Sequence, residues 1–356
     1  MRVLDRYILR AICGHLALVM AVLATLLGLF LYINEQGWIG IGQYGQLQAL
    51  RYVLLNLPGT VLQFLPVGAL IGTLLALGQM ARGSELTVMR AAGVSIRRLC
   101  GAVLLTALLL LPCAVLLGEW IGPPLTQLAR VNKAVDRNGS ISAGQRGGAW
   151  VRDGERILHA EGGAGGAGST VTVFEFDGPQ RLASVARAAS ARQVQQGGWE
   201  LEGVVDSRFG GASVGSSGHA VQQFELAAGT DFFSLVAASP RDLSLRQLWR
   251  ATHYLDANQQ DTRRHRFAFW SGIARLVAMP LTMLLAVPFL FGPLRSAGAG
   301  GRVMLGLGLG LLWFIVQRMV ESGTVAFDLD PLWLAWLPTA MLAGVVAVLI
   351  QRVDAA

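Results

Sequence analysis

The sequence contains very little lysine, little cysteine and few charges of any kind. Charged residues make up 14% of its 356 positions, and Lys133 is its single lysine. A Walker A loop requires a Gly-Lys-Ser or Gly-Lys-Thr triplet, so we expect no ATP site in this chain. The zinc motif His-Glu-x-x-His is missing, and the five histidines lie in different segments. Cys13, Cys100 and Cys113 form no disulfide framework, and we expect no metal, no cofactor and no catalytic residue.

Long apolar runs, by contrast, are abundant. Hydrophobic residues make up 53% of the chain, and six runs approach the roughly 20 residues that cross a bilayer as a helix. Buried helices of a soluble protein would need polar outer faces, which these runs do not have. We therefore predict a membrane α-helical protein with six transmembrane helices, within the ranges 12–33, 57–79, 99–120, 267–291, 303–320 and 332–350.

Arginine is unevenly distributed among the connections between these runs. Among the termini and the short connections, the N-terminal tail, the second and fourth connections and the C-terminus are rich in it, with Arg2, Arg6, Arg10, Arg82, Arg90, Arg97, Arg98, Arg295, Arg302 and Arg352. The first connection has only Arg51, and the fifth has Asp328 and Asp330 but no arginine. Short cytoplasmic loops are enriched in basic residues. We therefore expect both termini in the cytoplasm and the long central segment in the periplasm, and we attribute the net charge of +7 mainly to this bias.

The central segment, from about residue 128 to residue 266, has a different pattern. Short alternating stretches separated by glycine predict an inserted antiparallel β domain. In 170–176 the apolar positions change face partway, which indicates a bulge or burial on both sides. The glycine-rich stretch 162–168 is interpreted as a flexible turn. The predicted strands are 149–152, 156–160, 170–176, 181–188, 199–205 and 220–226.

A short amphipathic helix is predicted to follow the β domain. Ser244 suits its N-cap, and Leu245, Leu248, Trp249 and either Thr252 or Leu255 form one stripe. The predicted organisation is therefore transmembrane helices one to three in 1–128, the β domain in 129–240, and the amphipathic helix with transmembrane helices four to six in 241–356.

The second cytoplasmic connection has the features of a short capped helix over 84–93. Ser84 suits the N-cap, Glu85 places a negative charge at the positive end of the helix dipole, and Gly93 suits the left-handed position that ends it. Leu86 and Met89 form an apolar edge that is too short to cross a bilayer. This edge could dock into a groove on a partner, with the alternative of a surface turn lying among lipid headgroups.

Four segments of the chain are distinctive: Val3-Leu4-Asp5-Arg6-Tyr7-Ile8, 82–95, Gly118-Glu119-Trp120-Ile121-Gly122-Pro123 and Phe291-Gly292-Pro293-Leu294-Arg295-Ser296. In these segments, and over essentially the whole chain, the sequence resembles the lipopolysaccharide-export permeases of the LptF/LptG family. The first and last of these are more similar to the LptG branch than to the LptF branch. The order of helices and β domain also agrees.

The resemblance implies a set of partners and a mechanism. It implies a heterodimer with an LptF-like permease, an LptB-like ATPase dimer that uses ATP, and an LptC-like protein whose helix inserts at a lateral gate lined by helices one and five. The β domain would be a jellyroll connected to an LptA-like periplasmic bridge, and the cargo would be lipopolysaccharide. The segment 84–93 corresponds to the coupling helix, whose candidate ATPase-coupling residues are Ser84, Glu85, Leu86, Met89, Arg90 and Gly93.

Candidate ligands for the substrate's phosphates are basic residues. Some family members carry them at the periplasmic end of helix one, but 31–38 has none here. The nearest alternatives follow the third helix, where the spacing of Arg130, Lys133 and Arg137 lets them share a helical face. They could instead be a solvated basic face. Arg51 and Arg318 are secondary candidates, and for Arg318 the alternative is mutual neutralisation with Glu321, three residues on.

Two other functions are compatible with parts of this pattern. One is an ABC-linked mechanotransmission subunit that moves no lipid itself, although such proteins usually have fewer helices. The other is a membrane-anchored β-domain scaffold, which would leave the capped segment 84–93 unexplained. Copurified lipopolysaccharide would separate the exporter from the mechanotransmission subunit.

Overall fold

The computed structural model is mostly helical and has one antiparallel sheet in its middle region. It describes residues 3–138, 149–153, 155–161, 170–178, 181–193, 198–210, 213–225, 239–291, 298–326 and 330–354. The α-helices are α1 (Val3–Glu35), α2 (Gln46–Gln63), α3 (Leu65–Arg82), α4 (Glu85–Ala91), α5 (Ile96–Leu116), α6 (Gly122–Asn138), α7 (Leu245–Ala257), α8 (Arg263–Phe291), α9 (Ala299–Ala326) and α10 (Pro331–Asp354). The predicted turn at 162–168 lies outside the described residues.

Six helical stretches among the described residues are long and apolar enough to cross a membrane, which confirms the predicted number. They are Val3–Trp38, Leu65–Arg82, Ile96–Arg137, Arg263–Phe291, Val303–Val320 and Pro331–Val353. The second predicted run, 57–79, was wrong as a single helix, because the chain breaks at Phe64 between α2 and α3. Pro66 lies in the first turn of α3, where its missing N–H costs nothing, but it could not continue α2.

The third stretch continues past its predicted end at Trp120. A π-helical segment, Leu117–Ile121, joins α5 to α6 and contains Glu119 and Trp120. A π-helical turn has wider i→i+5 hydrogen bonding and occurs mostly as a single turn within an α-helix. Here a Cβ on Gly122 would lie 2.9 Å from the carbonyl oxygen of Leu117, so the glycine permits the wider turn.

The chain divides into two compact units. The first comprises Met1–Ile33, Asn56–Leu125 and Arg263–Ala356, and the second comprises Asn34–Leu55 and Thr126–Thr262. In the first unit α3 is largely buried and packs against α8 and α9, while α5 and α10 also pack on α8. Its main core includes side chains from α1, α3, α4, α5 and α8, such as Ile8, Leu77, Leu86, Val103 and Met283.

Glycines bring helices of the first unit close to α3. A Cβ on Gly72 would lie 2.8 Å from the Cα of Leu16 in α1. Cβ atoms on Gly306 and Gly310 of α9 would lie 2.8 Å and 2.3 Å from side-chain atoms of α3. Gly306 and Gly310 are four residues apart and therefore permit close packing of α9 on α3.

Within its described residues, the second unit contains a seven-stranded antiparallel sheet. Its strands are β1 (Ala149–Asp153), β2 (Arg156–Glu161), β3 (Thr170–Phe176), β4 (Leu182–Ala188), β5 (Ser190–Gln193), β6 (Gly198–Gly210) and β7 (Ser213–Glu225). The order is β1-β2-β3-β4-β6-β5, and β7 pairs with β6. Leu158, Val173 and Ala186 are neighbours across β2, β3 and β4 and are all buried, so they lie on the core face.

The six predicted strands are present, but their ends differ and β5 was missed. The irregularity predicted in 170–176 corresponds to a register shift between β3 and β4, but Glu175 pairs with Ser184 and Phe176 with Leu182, so the extra residue lies in β4. The β6–β7 hairpin is longer than predicted, because serine and glycine in 213–218 give no hydrophobic alternation. In β6, Gly203 adopts a positive φ of 65°, and both Leu201 and Val204 are buried. This glycine therefore lets the strand change which side chains face the core.

Candidate functional site

The short helix predicted over 84–93 is present as α4, but its N-terminal cap differs from the prediction. Ser84 precedes the helix at a φ of 61° and makes no side-chain capping hydrogen bond, so the predicted cap was wrong. A capping side chain needs an extended backbone at that position. The C-terminal prediction is confirmed, because Gly93 has a φ of 87° and its N–H donates to the carbonyl of Arg90. The N–H of Val94 donates to Met89 in the same turn.

Glu85, at the start of α4, is bonded to the first helix. The hydroxyl of Tyr7 donates to its carboxylate at 2.7 Å. A second link lies close in sequence, where Arg98 donates from one guanidinium nitrogen to both oxygens of Asp5, at 2.7 and 2.8 Å. Asp5 is nearly buried. The start of α1 is therefore connected by side chains both to α4 and to the beginning of α5.

The apolar edge of α4 faces its own chain. Leu86 is buried in the main core of the first unit and Met89 packs against that core, so the prediction that these two side chains dock on a partner was wrong. If these two apolar side chains did not pack on the core of their own chain, they would be exposed to water. Thr87 and Val88 are exposed instead. Arg90 is also exposed, and its guanidinium lies 5.4 Å from the ring centroid of Phe291.

Lys133 occupies a nearly closed site in the second unit. Its ammonium lies 2.7 Å from Glu35, and relative exposures of 16% and 8% show that both side chains are largely withdrawn from water. The rings of Trp38, Tyr44 and Tyr52 surround the ammonium at 4.6 to 5.8 Å from their centroids. Such rings attract a cation through the negative face of their π system. The charge of Lys133 is therefore neutralised and enclosed within the protein.

Tyr44 also binds the Glu35 carboxylate. Its hydroxyl donates to Glu35 at 2.8 Å, and its side chain is buried. Burial, the hydrogen bond to Glu35 and nearby negative charges raise the pKa of Tyr44 well above its usual range. The hydroxyl thus remains a donor at every physiological pH. Glu35 accepts bonds from Lys133 and Tyr44 together, and we call Glu35, Trp38, Tyr44, Tyr52 and Lys133 the lysine cage.

Arg137 lies beside the lysine cage, one turn further along α6. Its guanidinium is 3.9 Å from the ring centroid of Trp38. The backbone also docks here, since the N–H of Gln43 donates to the carbonyl of Asp136 at 2.7 Å. A Cβ on Gly42, whose φ is 63°, would lie 2.3 Å from the carbonyl oxygen of Arg137. Only glycine fits this approach, which fixes the 36–45 loop against α6.

Arg130 has a different partner from Lys133 and Arg137. It forms an ion pair with Asp242, which lies in the 3-10 turn Pro240–Asp242 just before α7. Burial raises the pKa of Asp242, and the positive charges of Arg130 and Arg241 partly oppose that rise. Arg130 remains about half exposed. The predicted common basic face therefore places Lys133 and Arg137 at one indole ring, whereas Arg130 is paired elsewhere.

The two secondary candidates lie on other helices. Arg51 is exposed on α2. Arg318 of α9 has its guanidinium 5.3 Å from the ring centroid of Phe314, which stacks on Phe64. The proposed neutralisation of Arg318 by Glu321 lies outside the described side chains. None of the five basic candidates is excluded as a phosphate ligand, and their role stays a prediction.

Sequence reasoning missed the acidic and aromatic members of the lysine cage. Glu35 and Lys133 are 98 positions apart, so local spacing gives no signal for their pairing. Cation–π partners likewise have no fixed sequence spacing. The one usable signal was that the single lysine of the chain lies in a helix with an otherwise amphipathic pattern.

The sequence predicts neither a catalytic site nor a metal site, and the structure can be searched for groups of metal ligands and for a serine nucleophile. In the part of the chain that the structure describes, no group of three or more His, Cys, Asp or Glu residues could hold a metal ion. A Gly-x-Ser-x-Gly spacing does occur at 211–215, but its Ser213 begins β7 and pairs with Gly210 of β6. A serine nucleophile of that motif lies between a strand and a helix, so this spacing belongs to a hairpin.

Comparison with known proteins identifies the family. The family described as "Lipopolysaccharide export system permease LptF/LptG" matches residues 6–352. The lipopolysaccharide export system permease protein LptG of Escherichia coli strain K12 is 31% identical over 341 residues, which is 95% of each chain. Its counterpart from Haemophilus influenzae is 28% identical over 351 residues, or 98% of each chain. The chain therefore belongs to the LptF/LptG family and is an LptG-type permease.

Proposed function

We propose that this chain is the permease subunit of an ABC transporter that extracts lipopolysaccharide from the inner membrane. In this proposal the lipid passes to a periplasmic bridge of β-jellyroll domains. The observation that carries it is similarity over almost the full length to permeases named for lipopolysaccharide export. Six apolar spans and a central antiparallel sheet are the parts that such a permease needs. The chain is a multi-pass inner-membrane protein and not itself an enzyme.

The partners in this proposal are an LptF-like permease, an LptC-like protein and an LptA-like bridge. Support comes from two spans that leave most of their surface uncovered. In the most apolar part of the first span only 11% of the residues are buried within the chain, and the same fraction applies to Val303–Val320 of α9. Exposed leucine, isoleucine and methionine side chains cover both helices. These faces suit lipid, a second permease subunit and a gate between them.

The energy in this proposal comes from an LptB-like ATPase dimer. The chain has no Walker A loop of its own, so ATP hydrolysis must act through a contact surface. We assign that contact to α4 and its flanks, with Glu85, Thr87, Val88 and Arg90 nearest the partner. Glu85 also bonds Tyr7 of α1. A displacement of α4 would therefore be transmitted to α1 through this hydrogen bond.

The orientation in this proposal places both termini and α4 in the cytoplasm and the sheet in the periplasm. It rests on the arginine bias of the connections. The five basic candidates, Arg51, Arg130, Lys133, Arg137 and Arg318, would then serve substrate phosphates from the periplasmic side or the cavity. Lys133 is the weakest of them, because Glu35 already neutralises its charge.

The deciding experiment is Glu85→Lys in the assembled complex. The substitution reverses the charge at the helix start, and the helix-dipole change alone should cost at most about 1 kcal/mol. We expect a normally assembled complex in which ATP hydrolysis continues while release of lipopolysaccharide from proteoliposomes falls. Normal release would show that α4 is only a surface turn.

The matched control is Tyr7→Phe, which removes the hydrogen bond to Glu85 and keeps its carboxylate. Release near the wild-type rate would assign the Glu85→Lys defect to the lost partner contact. Equal loss in both variants would assign it to the connection with α1. Mass spectrometry of lipid bound to the purified complex separates the exporter from a mechanotransmission subunit, which would carry no lipopolysaccharide.

A further inference from the structure

The outward face of α7 carries two arginines around an exposed tryptophan. Arg246, Trp249, Arg250 and His253 are spaced i, i+3, i+4 and i+7, so they form one stripe along the helix. All four are exposed. The indole of Trp249 is 57% exposed and stacks on the imidazole of His253, with ring centroids 5.2 Å apart. We call these four residues the outer stripe.

The opposite face of α7 fixes which way the outer stripe points. Leu248, Ala251 and Leu255 are buried on that face. The helix start is held by a capping box, in which Ser244 and Gln247 each bond the other's backbone N–H. The helix cannot rotate without exposing its leucines. The packing of α7 therefore keeps the indole of Trp249 on the exposed face of the helix.

The chemistry of the outer stripe suits an anionic, partly apolar surface. Guanidinium groups bind phosphate oxygens in a bidentate way, and indole rings accumulate where water meets lipid. The stripe contains no acid, and Asp256 lies at its edge in the last turn. A purely solvated face would not need a large exposed indole between two arginines.

The position of α7 in the chain brings it within reach of a membrane surface. Five residues separate its end at Ala257 from Arg263, where the α8 span begins. Five extended residues cover at most about 18 Å. The headgroup layer that α8 enters is therefore accessible to α7.

We propose that the outer stripe binds anionic phospholipid headgroups at the membrane surface and holds α7 flat on it. Arg246 and Arg250 contact headgroup phosphates, and Trp249 inserts among the glycerol and upper acyl groups. The occupant is the lipid surface itself, selected by charge complementarity and by the adjoining span. This site goes beyond the proposed transport function, because it needs neither lipopolysaccharide nor ATP.

The test uses the full chain with His253→p-benzoylphenylalanine, a photoreactive residue that leaves both arginines and Trp249 in place. The protein is reconstituted into nanodiscs of equal parts phosphatidylcholine and phosphatidylglycerol, and the adducts are identified by mass spectrometry. One arginine near an anionic surface changes the preference for it about fivefold, so phosphatidylglycerol adducts should exceed phosphatidylcholine adducts at least to that extent. Equal amounts of the two adducts, or adducts to protein only, or no adduct, would each overturn the proposal.

Charge reversal provides the second arm. Arg246→Glu with Arg250→Glu should remove the excess of phosphatidylglycerol adducts, whereas Arg181→Glu with Arg187→Glu changes the net charge equally and should preserve it. Raising the salt concentration with the unsubstituted arginines should also reduce the excess, since salt screens exposed charges. This measurement keeps the proposal testable if the reversal disturbs folding. An excess that survives high salt would contradict an electrostatic headgroup site.

Discussion

The ammonium of Lys133 lies 2.7 Å from the carboxylate of Glu35, at the end of the first span, and the two side chains are only 16% and 8% exposed. A buried pair of this kind adds little net stability over an apolar pair, because both charges lose their hydration. Removing only one of the two charged residues is nevertheless strongly destabilising, because the other charge stays buried without a partner. The pair therefore fixes where the end of α1 lies on α6, within the second unit.

The first prediction concerns this pair. Lys133→Ala leaves the Glu35 carboxylate buried without its cationic partner, which should lower the free energy of unfolding by about 3–5 kcal/mol. Glu35→Gln combined with Lys133→Met removes both charges and should recover most of that loss. Thermal unfolding of the purified protein in detergent measures both.

The matched control for this prediction is Arg51→Ala, which removes an exposed cation from the neighbouring α2. Its effect should stay within about 0.5 kcal/mol. A Lys133→Ala protein as stable as the Arg51→Ala protein would show that water enters the lysine cage and solvates Glu35.

Much of the fold was predictable because it depends on local patterns. Hydropathy and length predicted the six spans, and alternation predicted six strands and an irregularity in 170–176, where the pairing of β3 with β4 shifts register. The break at Phe64 was missed because both of its sides are apolar, so a hydropathy window crosses it unchanged. The extension of the β6–β7 hairpin was missed because residues 213–218 have no apolar alternation. Their place in the sheet comes from backbone pairing with β6.

The candidate site was predictable only where local backbone chemistry decides it. Gly93 ends α4 in the left-handed conformation that glycine favours. Leu86 and Met89 form an apolar edge as expected, but the sequence does not say whether such an edge meets a partner or its own core. The lysine cage depends on the approach of the 36–45 loop to α6, which no pattern within either segment encodes.

The second prediction concerns orientation. In a variant with Cys13, Cys100 and Cys113 replaced by serine, we introduce Ser217→Cys in β7 or Val88→Cys in α4, both at exposed positions. A membrane-impermeant maleimide should label Ser217→Cys in cells whose inner membrane is intact. It should label Val88→Cys only after permeabilisation. The opposite result would reverse the proposed topology.

The third prediction uses the glycines of α9. Gly310→Ala places a Cβ 2.3 Å from Val67, whose β-branched side chain has few alternative rotamers. The substitution should destabilise the protein by about 1–3 kcal/mol through overpacking. Gly308→Ala has nothing within 4 Å and serves as the control. Thermal unfolding should show no loss for Gly308→Ala, and equal behaviour of the two variants would contradict the packing of α9 on α3.

The fourth prediction concerns the substrate's phosphates and is shaped by the ion pairs. Replacing Lys133 would disturb Glu35, so a clean test leaves the lysine cage intact and changes Arg130 and Arg137. Arg130→Gln with Arg137→Gln should reduce photocrosslinking of lipopolysaccharide to the permease at least about tenfold, since the loss of even one hydrogen bond to a charged group weakens binding by about 1.5–3 kcal/mol. Crosslinking and export rate are measured on complexes whose assembly has been checked.

Two further variants separate phosphate binding from the other effects of these arginines. Adding Asp242→Asn to the double variant removes the acid that loses its partner, so any stability defect should diminish while the crosslinking defect persists. Arg181→Gln with Arg187→Gln removes the same charge from β4 and the residue before it, and should leave crosslinking unchanged. If crosslinking returns with Asp242→Asn, then Arg130 acts by holding the turn before α7. Unchanged crosslinking in the double variant would move the phosphate site to Arg51, to Arg318 or to the LptF-like partner.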